Sequence, residues 1–274
     1  MRVLIAGEPG RPGGDNEDFA AAAPGLFLVL DGAGSPPGVE SGCVHSVAWY
    51  ARTLGGLLLA AASDVGVGLD EALAVSIERV NALHAGACDL GHPGSPSATV
   101  ALARVNGGRV EHLVLADAVL VLDRVGQVPT VVTDDRLAGV IAHLNEPGAL
   151  PSVGGEEHAG RLRSRVERLA VYRNQPGGFW VASTKPEAAH EALMGSTPLG
   201  ELDAVALLSD GASRLADRFD LMTWPDLLAV LRKNGPGELI ARTREAEASD
   251  PGGVRWPRGK TSDDASAVYW AVRD

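Results

Sequence analysis

Four aspartates stand at the ends of apolar runs. Asp31 follows LFLVL, Asp117 follows HLVLA, Asp210 follows AVALLS, and Asp263 comes just before ASAVYW. Short apolar runs bounded by turn residues read as buried strands, so each acid sits at a strand end, partly withdrawn from water. Carboxylates gathered at such ends repel one another. They must be protonated, paired with arginine or bridged by cations. For an oxygen-only cluster the natural bridge is Mg2+ or Mn2+. Gly32 and Gly211 follow two of these acids and allow a tight turn with close backbone approach. Asn16-Glu17-Asp18 supplies two further acids shortly before the first run. One Asp-Gly after a strand is an ordinary turn. Its recurrence at several strand ends is what raises the expectation of a metal site.

The elements that must position these acids follow from periodicity. Residues 7–16 (GEPGRPGGDN) and 33–40 (AGSPPGVE) read as loops. A helical pattern runs from Ser41 to Ala62. A second spans residues 70–90, with Leu73, Ile77, Val80, Leu83 and Ala87 at steps of three and four and Asp70 as N-cap. The period then changes. Residues 98–105, 108–115, 120–123 and 128–133 read as strands, the first two joined by an Asn106-Gly107 hairpin signal. Residues 134–178 read as polar and irregular, with an Arg/Glu run at 161–168 taken as a solvated face. Strands are expected at 179–182, 202–208 and 265–272, and mostly helix over 213–247, with turns at Trp224-Pro225 and Gly235-Pro236. Helices thus fall in groups between antiparallel hairpins, which predicts an α+β fold rather than a doubly wound sheet. No linker-like segment divides the chain, so residues 1–274 are read as one domain.

Composition narrows the function. The chain has 274 residues, a formal charge of −11 and 45% hydrophobic residues, enough to bury a core. Its acidic balance argues against nucleic-acid binding, which needs a basic surface. No run approaches the ~18 apolar residues of a membrane span, and residues 1–8 show no signal-peptide pattern. Cys43 and Cys88 are far apart in sequence, with no CxxC or His/Cys zinc spacing, so a disulfide framework is not expected and a reducing cytoplasm is the default setting. There is no GxSxG elbow, and GEPGRPGG lacks the Lys-Ser/Thr of a phosphate-binding loop.

In order along the chain, the acidic motifs resemble those of the metal-dependent protein phosphatase 2C (PPM) family, from about Asn16 to Val272. Asn16-Glu17-Asp18 with Leu26–Gly34 (LFLVLDGAG) is similar to the family's opening acids and first Asp-Gly strand, and Glu40 to an acid that opens its next helix. Ser97-Ala98-Thr99-Val100, Val114–Ala118 (VLADA), Thr133-Asp134-Asp135-Arg136, Leu208–Gly211 (LSDG) and Ser262–Ser266 (SDDAS) resemble its later motifs. The resemblance implies a central sandwich of two antiparallel sheets flanked by helices, with a two-metal site, Mn2+ or Mg2+, at one end. It implies a metal-activated water attacking phosphoserine or phosphothreonine of protein substrates. Transferred by motif, Asp31 would bridge both metals and Gly32 would offer its carbonyl. Asp210 and Asp263 would complete one metal, Glu17 and Asp18 would serve the other, and Asp117 would bind a weaker third ion.

The sequence departs from the family at several points. Gly13 stands where many members carry a phosphate-binding arginine, and Arg214 where a third-metal acid is frequent. Arg11 and Arg214 are therefore candidates for the missing phosphate clamp. These departures motivate an alternative: a catalytically weak regulatory or binding module. Cys43 and His45 follow the first Asp-Gly and are read mainly as packing residues. The other histidines, His84 among them, look scattered. The oligomeric state is open.

Overall fold

The structure, a computed structural model, describes residues 2–35, 39–84, 86–144 and 152–273. Residues 36–38 of the expected loop, residue 85 of the second expected helix, and residues 145–151 of the expected irregular stretch lie outside the described residues. The described strands are β1 (Arg2–Glu8), β2 (Phe19–Ala23), β3 (Leu26–Ala33), β4 (Ser97–Asn106), β5 (Arg109–Leu115), β6 (Val119–Arg124), β7 (Thr130–Val132), β8 (Leu193–Pro198), β9 (Leu202–Leu208) and β10 (Ala265–Ala271). The described α-helices are α1 (Val47–Ala62), α2 (Leu69–His84), α3 (Arg136–His143), α4 (Glu156–Ala170), α5 (Asp210–Asp217), α6 (Trp224–Asn234) and α7 (Pro236–Ser249). The strands form two sheets, ordered β1-β10-β9-β6-β7 and β2-β3-β4-β5-β8, with every neighbouring pair antiparallel. The α+β sandwich with outer helices is the expected class.

Three apolar layers hold this arrangement, and the side-chain period of two explains why the strands read as unbroken apolar runs. In β3, Phe27 and Val29 face the other sheet, while Leu28 and Leu30 face α1 and α2. In β10, Val268 and Trp270 point into the sandwich, and Ala267 and Tyr269 point toward α5, α6 and α7. Trp270 stacks on Phe27 across the sandwich at 4.6 Å. Each large side chain buried this way contributes roughly 1.5–3 kcal/mol. Leu54 and Leu58 of α1 and Leu73 and Ile77 of α2, spaced by four, complete the layer over β3 and β4.

Several expectations are corrected. Strands β1, β2 and β8 were not anticipated. β1 takes Gly7 and Glu8 from the expected loop, and the small-residue strand β2 (FAAAA) is recognisable only by its pairing with β3. The first helix starts at Val47 rather than Ser41, because Ser46 caps it by accepting the Trp49 N–H. The second ends at His84. It opens at Leu69, so Asp70 stands in its first turn and bonds His190 instead of capping. The irregular stretch contains α3 and α4, and residues 179–182 make only isolated bridges, Phe179 to Arg173 and Ala182 to Ala98.

The register brings the acids together. Leu208 of β9 lies opposite Ala267 of β10 and Val119 of β6. The end of β9 and the starts of β10 and β6 therefore share one edge, with Asp210, Asp263 and Asp117 just beyond. In the other sheet Phe19 pairs with Leu30, which sets Asp18 beside Asp31 at the end of β3.

Candidate metal centre

Two glycines let the backbones close around this edge. A Cβ on Gly32 would stand 2.4 Å from the Glu17 carbonyl and 2.6 Å from Val47. A Cβ on Gly211 would stand 1.9 Å from the Asp264 carbonyl. Only glycine fits at either place. The Asp264 carboxylate is already used: it accepts N–H bonds from Gly10 (2.7 Å) and Glu17 (3.1 Å), tying the 10–17 loop to the start of β10. Asp264 still presses its charge on Asp18 and Glu17, while Asp263 presses on Asp31.

The carboxylates behave as a crowded group. Burial and then the charges of Asp18, Asp210, Asp263 and Asp117 hold Asp31 well above the usual carboxylate range. Asp18 is buried, and neither of its oxygens has a hydrogen-bond partner among the described residues. Burial, then Asp264 and Asp210, push it up to about 7, with Ser209 and Ser266 offsetting part of the effect. Burial and Asp210 push Asp117 to about 6. Glu17 lies at the rim, raised by burial and lowered by Lys260. Asp18, Asp31, Asp117, Asp210 and Asp263 thus feel one another's charge, with Glu17 at the edge of the group.

Cations enter the same group from one side. Arg214 donates to Asp210 and Asp263, both at 3.3 Å, and to the fully buried Glu247 at 2.7 Å. Arg218 pairs with Asp210 at 2.9 Å and approaches Asp117 at 3.8 Å. Lys260 pairs with Asp263 at 2.7 Å and lies 3.9 Å from Glu17. Burial alone would raise Asp263, but Lys260 and Arg214 outweigh it and hold the carboxyl below its ordinary value. The side chain of Arg214 is 3% exposed and engaged by three acids, so it is not placed as a substrate clamp. Arg11 is exposed and close enough to lower Glu17. Arg218, 48% exposed, was missed in the sequence. The signal was available, since Asp210, Arg214 and Arg218 follow a helical step of four. Lys260, in an irregular loop, left no such signal.

By charge the donor set suits divalent cations, while among the described residues no three of these carboxylates bring one oxygen each within 4.8 Å of one another. Glu17, Asp18, Asp31, Asp117, Asp210 and Asp263 meet three basic side chains, an excess of negative charge. The orphaned oxygens of Asp18 and the raised Asp31 are what a hard cation relieves. Beside Asp117 opens a cleft of about 200 Å³, bounded by Gly34, Thr99 and Phe179 and by Val166 and Leu169 of α4. A larger cavity of about 610 Å³, lined by Arg136, His143, Trp180 and Glu191, shares no residue with the carboxylates.

The family model for protein phosphatase 2C matches residues 11–238. The chain belongs to the protein phosphatase 2C family. Solved phosphatases share its fold. The Mycobacterium tuberculosis phosphatase PstP/Ppp is 17% identical, with 98% of this chain and 97% of that chain covered and a TM-score of 0.56. The PstP catalytic domain in complex with two manganese ions is 18% identical, covering 98% and 96% with a TM-score of 0.57. Stp1 from Staphylococcus aureus is 13% identical, covering 100% and 96% with a TM-score of 0.55. No curated protein sequence matches. The protein phosphatase 2C family is one of metal-dependent serine/threonine phosphatases, which favours an enzyme over the alternative of a binding module. Among the described residues no helix is long and apolar enough to cross a membrane.

Proposed function

We propose that this chain is a metal-dependent phosphatase acting on phosphoserine and phosphothreonine of proteins, in the cytoplasm, as one domain over residues 1–274. The observation that carries the reading is the crowding of Asp18 and Asp31, both raised chiefly by burial, with Asp210, Asp263 and Asp117. Two ions, Mn2+ or Mg2+, fit that charge, and the manganese-bound PstP structure supports the choice. Asp31 would be held between the ions, with the Gly32 carbonyl beside it; Asp210 and Asp263 would hold one ion, Glu17 and Asp18 the other, and Asp117 would offer a weaker third position.

Bound there, the metals supply a water of lowered pKa and positive charge opposite the phosphoryl oxygens. The protein's own groups do the rest. Asp210 and Asp263 are held by Arg214, Arg218 and Lys260, contacts that a bound ion would have to share or replace. Glu247 keeps Arg214 in place beneath them. Arg218, freed from Asp210, and Arg11 at the rim are the basic side chains placed to meet a phosphate dianion. The cleft beside Asp117 accepts the chain that carries the phosphate, with apolar walls from Phe179, Val166 and Leu169.

Phosphate release from phosphothreonine peptides, with Mn2+ and with chelator, tests this reading. Turnover should require metal. Asp31→Asn should lower kcat by at least about 10²-fold, the scale for losing one preorganised electrostatic contact. Turnover that survives chelation, or an Asp31→Asn variant as active as the parent, removes the proposal.

A further inference from the structure

The residues read from sequence as packing or scattered form a second polar cluster. Cys43 and His45, in the loop before α1, meet His84 at the end of α2 and Cys88 just beyond it. Cys43 Sγ lies 3.7 Å from His45 Nδ1, 3.4 Å from His84 Nδ1 and 3.1 Å from Cys88 Sγ. Cys88 Sγ lies 3.4 Å from His45 Nδ1. One donor atom from each residue falls within 4.8 Å of all the others. Donors spaced like this fit around a single ion, since Zn–S bonds of ~2.3 Å and Zn–N bonds of ~2.0 Å set tetrahedral edges of roughly 3.3–3.8 Å.

We propose that Cys43, His45, His84 and Cys88 form a tetrahedral zinc site, separate from the carboxylate centre, that fastens the loop before α1 to the end of α2. Two sulfurs and two imidazole nitrogens in a tetrahedral set select zinc, whereas the oxygen-only centre selects harder ions. The surroundings are those of a ligand set. The backbone N–H of His45 donates to Cys43 Sγ at 3.3 Å, and that of Val44 to Cys88 Sγ at 3.4 Å. His84 is 3% exposed, and its Nδ1 points at Cys43. Trp49 fixes both rings, stacking on His45 at 3.9 Å and meeting His84 edge-on at 4.9 Å. Binding displaces one proton from each thiol. The two thiolates then balance the charge of the ion, which suits a site that is only partly solvated.

The site also bears on the carboxylate centre through packing. Val47, the first residue of α1, presses against Gly32 and Gly34 at the end of β3. An anchor just ahead of Val47 therefore fixes the helix against the turn that carries Asp31.

Cobalt substitution of the reduced, folded chain tests the proposal without relying on a variant. Co2+ should give sulfur-to-metal charge-transfer absorption and intense visible bands of tetrahedral coordination. The oxygen centre, lacking thiolates, gives neither. These bands should persist in Asp31→Asn and disappear in Cys88→Ser, whose side chain is only partly buried. Elemental analysis of the protein purified under reduction should find one zinc per chain that weak chelation does not remove, and that Cys88→Ser lacks. A folded, reduced chain that binds Co2+ without thiolate absorption overturns the site, as does zinc content unchanged by Cys88→Ser. Failure of phosphatase activity leaves these readouts untouched, so the two proposals fail separately.

Discussion

Replacing Asp18 by asparagine should stabilise the metal-free protein while weakening its response to metal. Asp18 is 4% exposed, has neither oxygen hydrogen-bonded among the described residues, and is pushed from 3.8 to about 7, chiefly by burial. A carboxyl whose folded value is raised contributes stability that is fully present below the unfolded value and lost as pH rises through the folded one. The difference of about three units corresponds to about 4 kcal/mol at 1.36 kcal/mol per unit. Because Asp31 shares the repulsion, roughly 2–4 kcal/mol is the expected gain for Asp18→Asn at about pH 8 in chelator. For a chain of this size that raises Tm by on the order of 5–15 °C. The gain should shrink below about pH 7 and vanish toward pH 4, where both states are protonated. Added Mn2+ should raise the Tm of the parent, by the equivalent of about 2.7 kcal/mol at a hundredfold excess over Kd, and raise that of the variant less. Thermal melts at two pH values, with chelator and with Mn2+, measure all of this. A variant that melts no higher than the parent in chelator at high pH would refute the argument that burial and acidic neighbours make the Asp18 carboxylate costly. An equal response to Mn2+ would refute the role of Asp18 at the metal.

Two further outcomes follow from the same edge of the sandwich. Glu247→Ala strips a buried partner from Arg214 and Arg244, both bound at 2.7 Å, and should cost about 3–5 kcal/mol in urea unfolding; a loss below about 1 kcal/mol would mean the Arg214 charge is satisfied by Asp210 and Asp263 alone. Gly211→Ala forces a methyl against the Asp264 carbonyl and must shift the start of β10, so a loss of about 3 kcal/mol or more is expected, together with metal-dependent turnover; a variant that melts like the parent would show that this approach is not tight.

The fold was legible where a strand is buried on both faces and illegible where it is not. Runs such as LFLVL and AVALL stand out because sheet and helix cover them from opposite sides. β2 is four alanines after Phe19, a composition that favours helix in isolation, and only its ladder with β3 makes it a strand. β8 has a half-exposed pattern with Gly195 inside it, so it too depends on its neighbour β5. α4 is charged around most of its circumference, with His158 its one buried residue among those described. Its helical period is therefore hidden, and the Arg/Glu run read only as a solvated face within an irregular stretch.

The two candidate centres differ in the same way. Carboxylates at strand ends are readable because a strand has a direction and an end, so an acid placed there has a predictable neighbourhood. The acids and Arg214 were therefore singled out and two cations were not: Arg218 and Lys260 reach the group from a helix end and a loop, where direction is set only by tertiary packing. The sulfur and imidazole cluster escaped for a related reason. Its ligands come as two short pairs, Cys43 with His45 and His84 with Cys88, separated by a whole helical hairpin. Neither pair has the spacing of a familiar zinc motif, and each alone looks like an ordinary core residue beside a surface one. α1 and α2 pack antiparallel over β3 and β4, which returns the end of α2 to the start of α1. Closing that hairpin is what turns two unremarkable pairs into one set of four donors, so the site is a property of the helix packing before it is a property of the sequence.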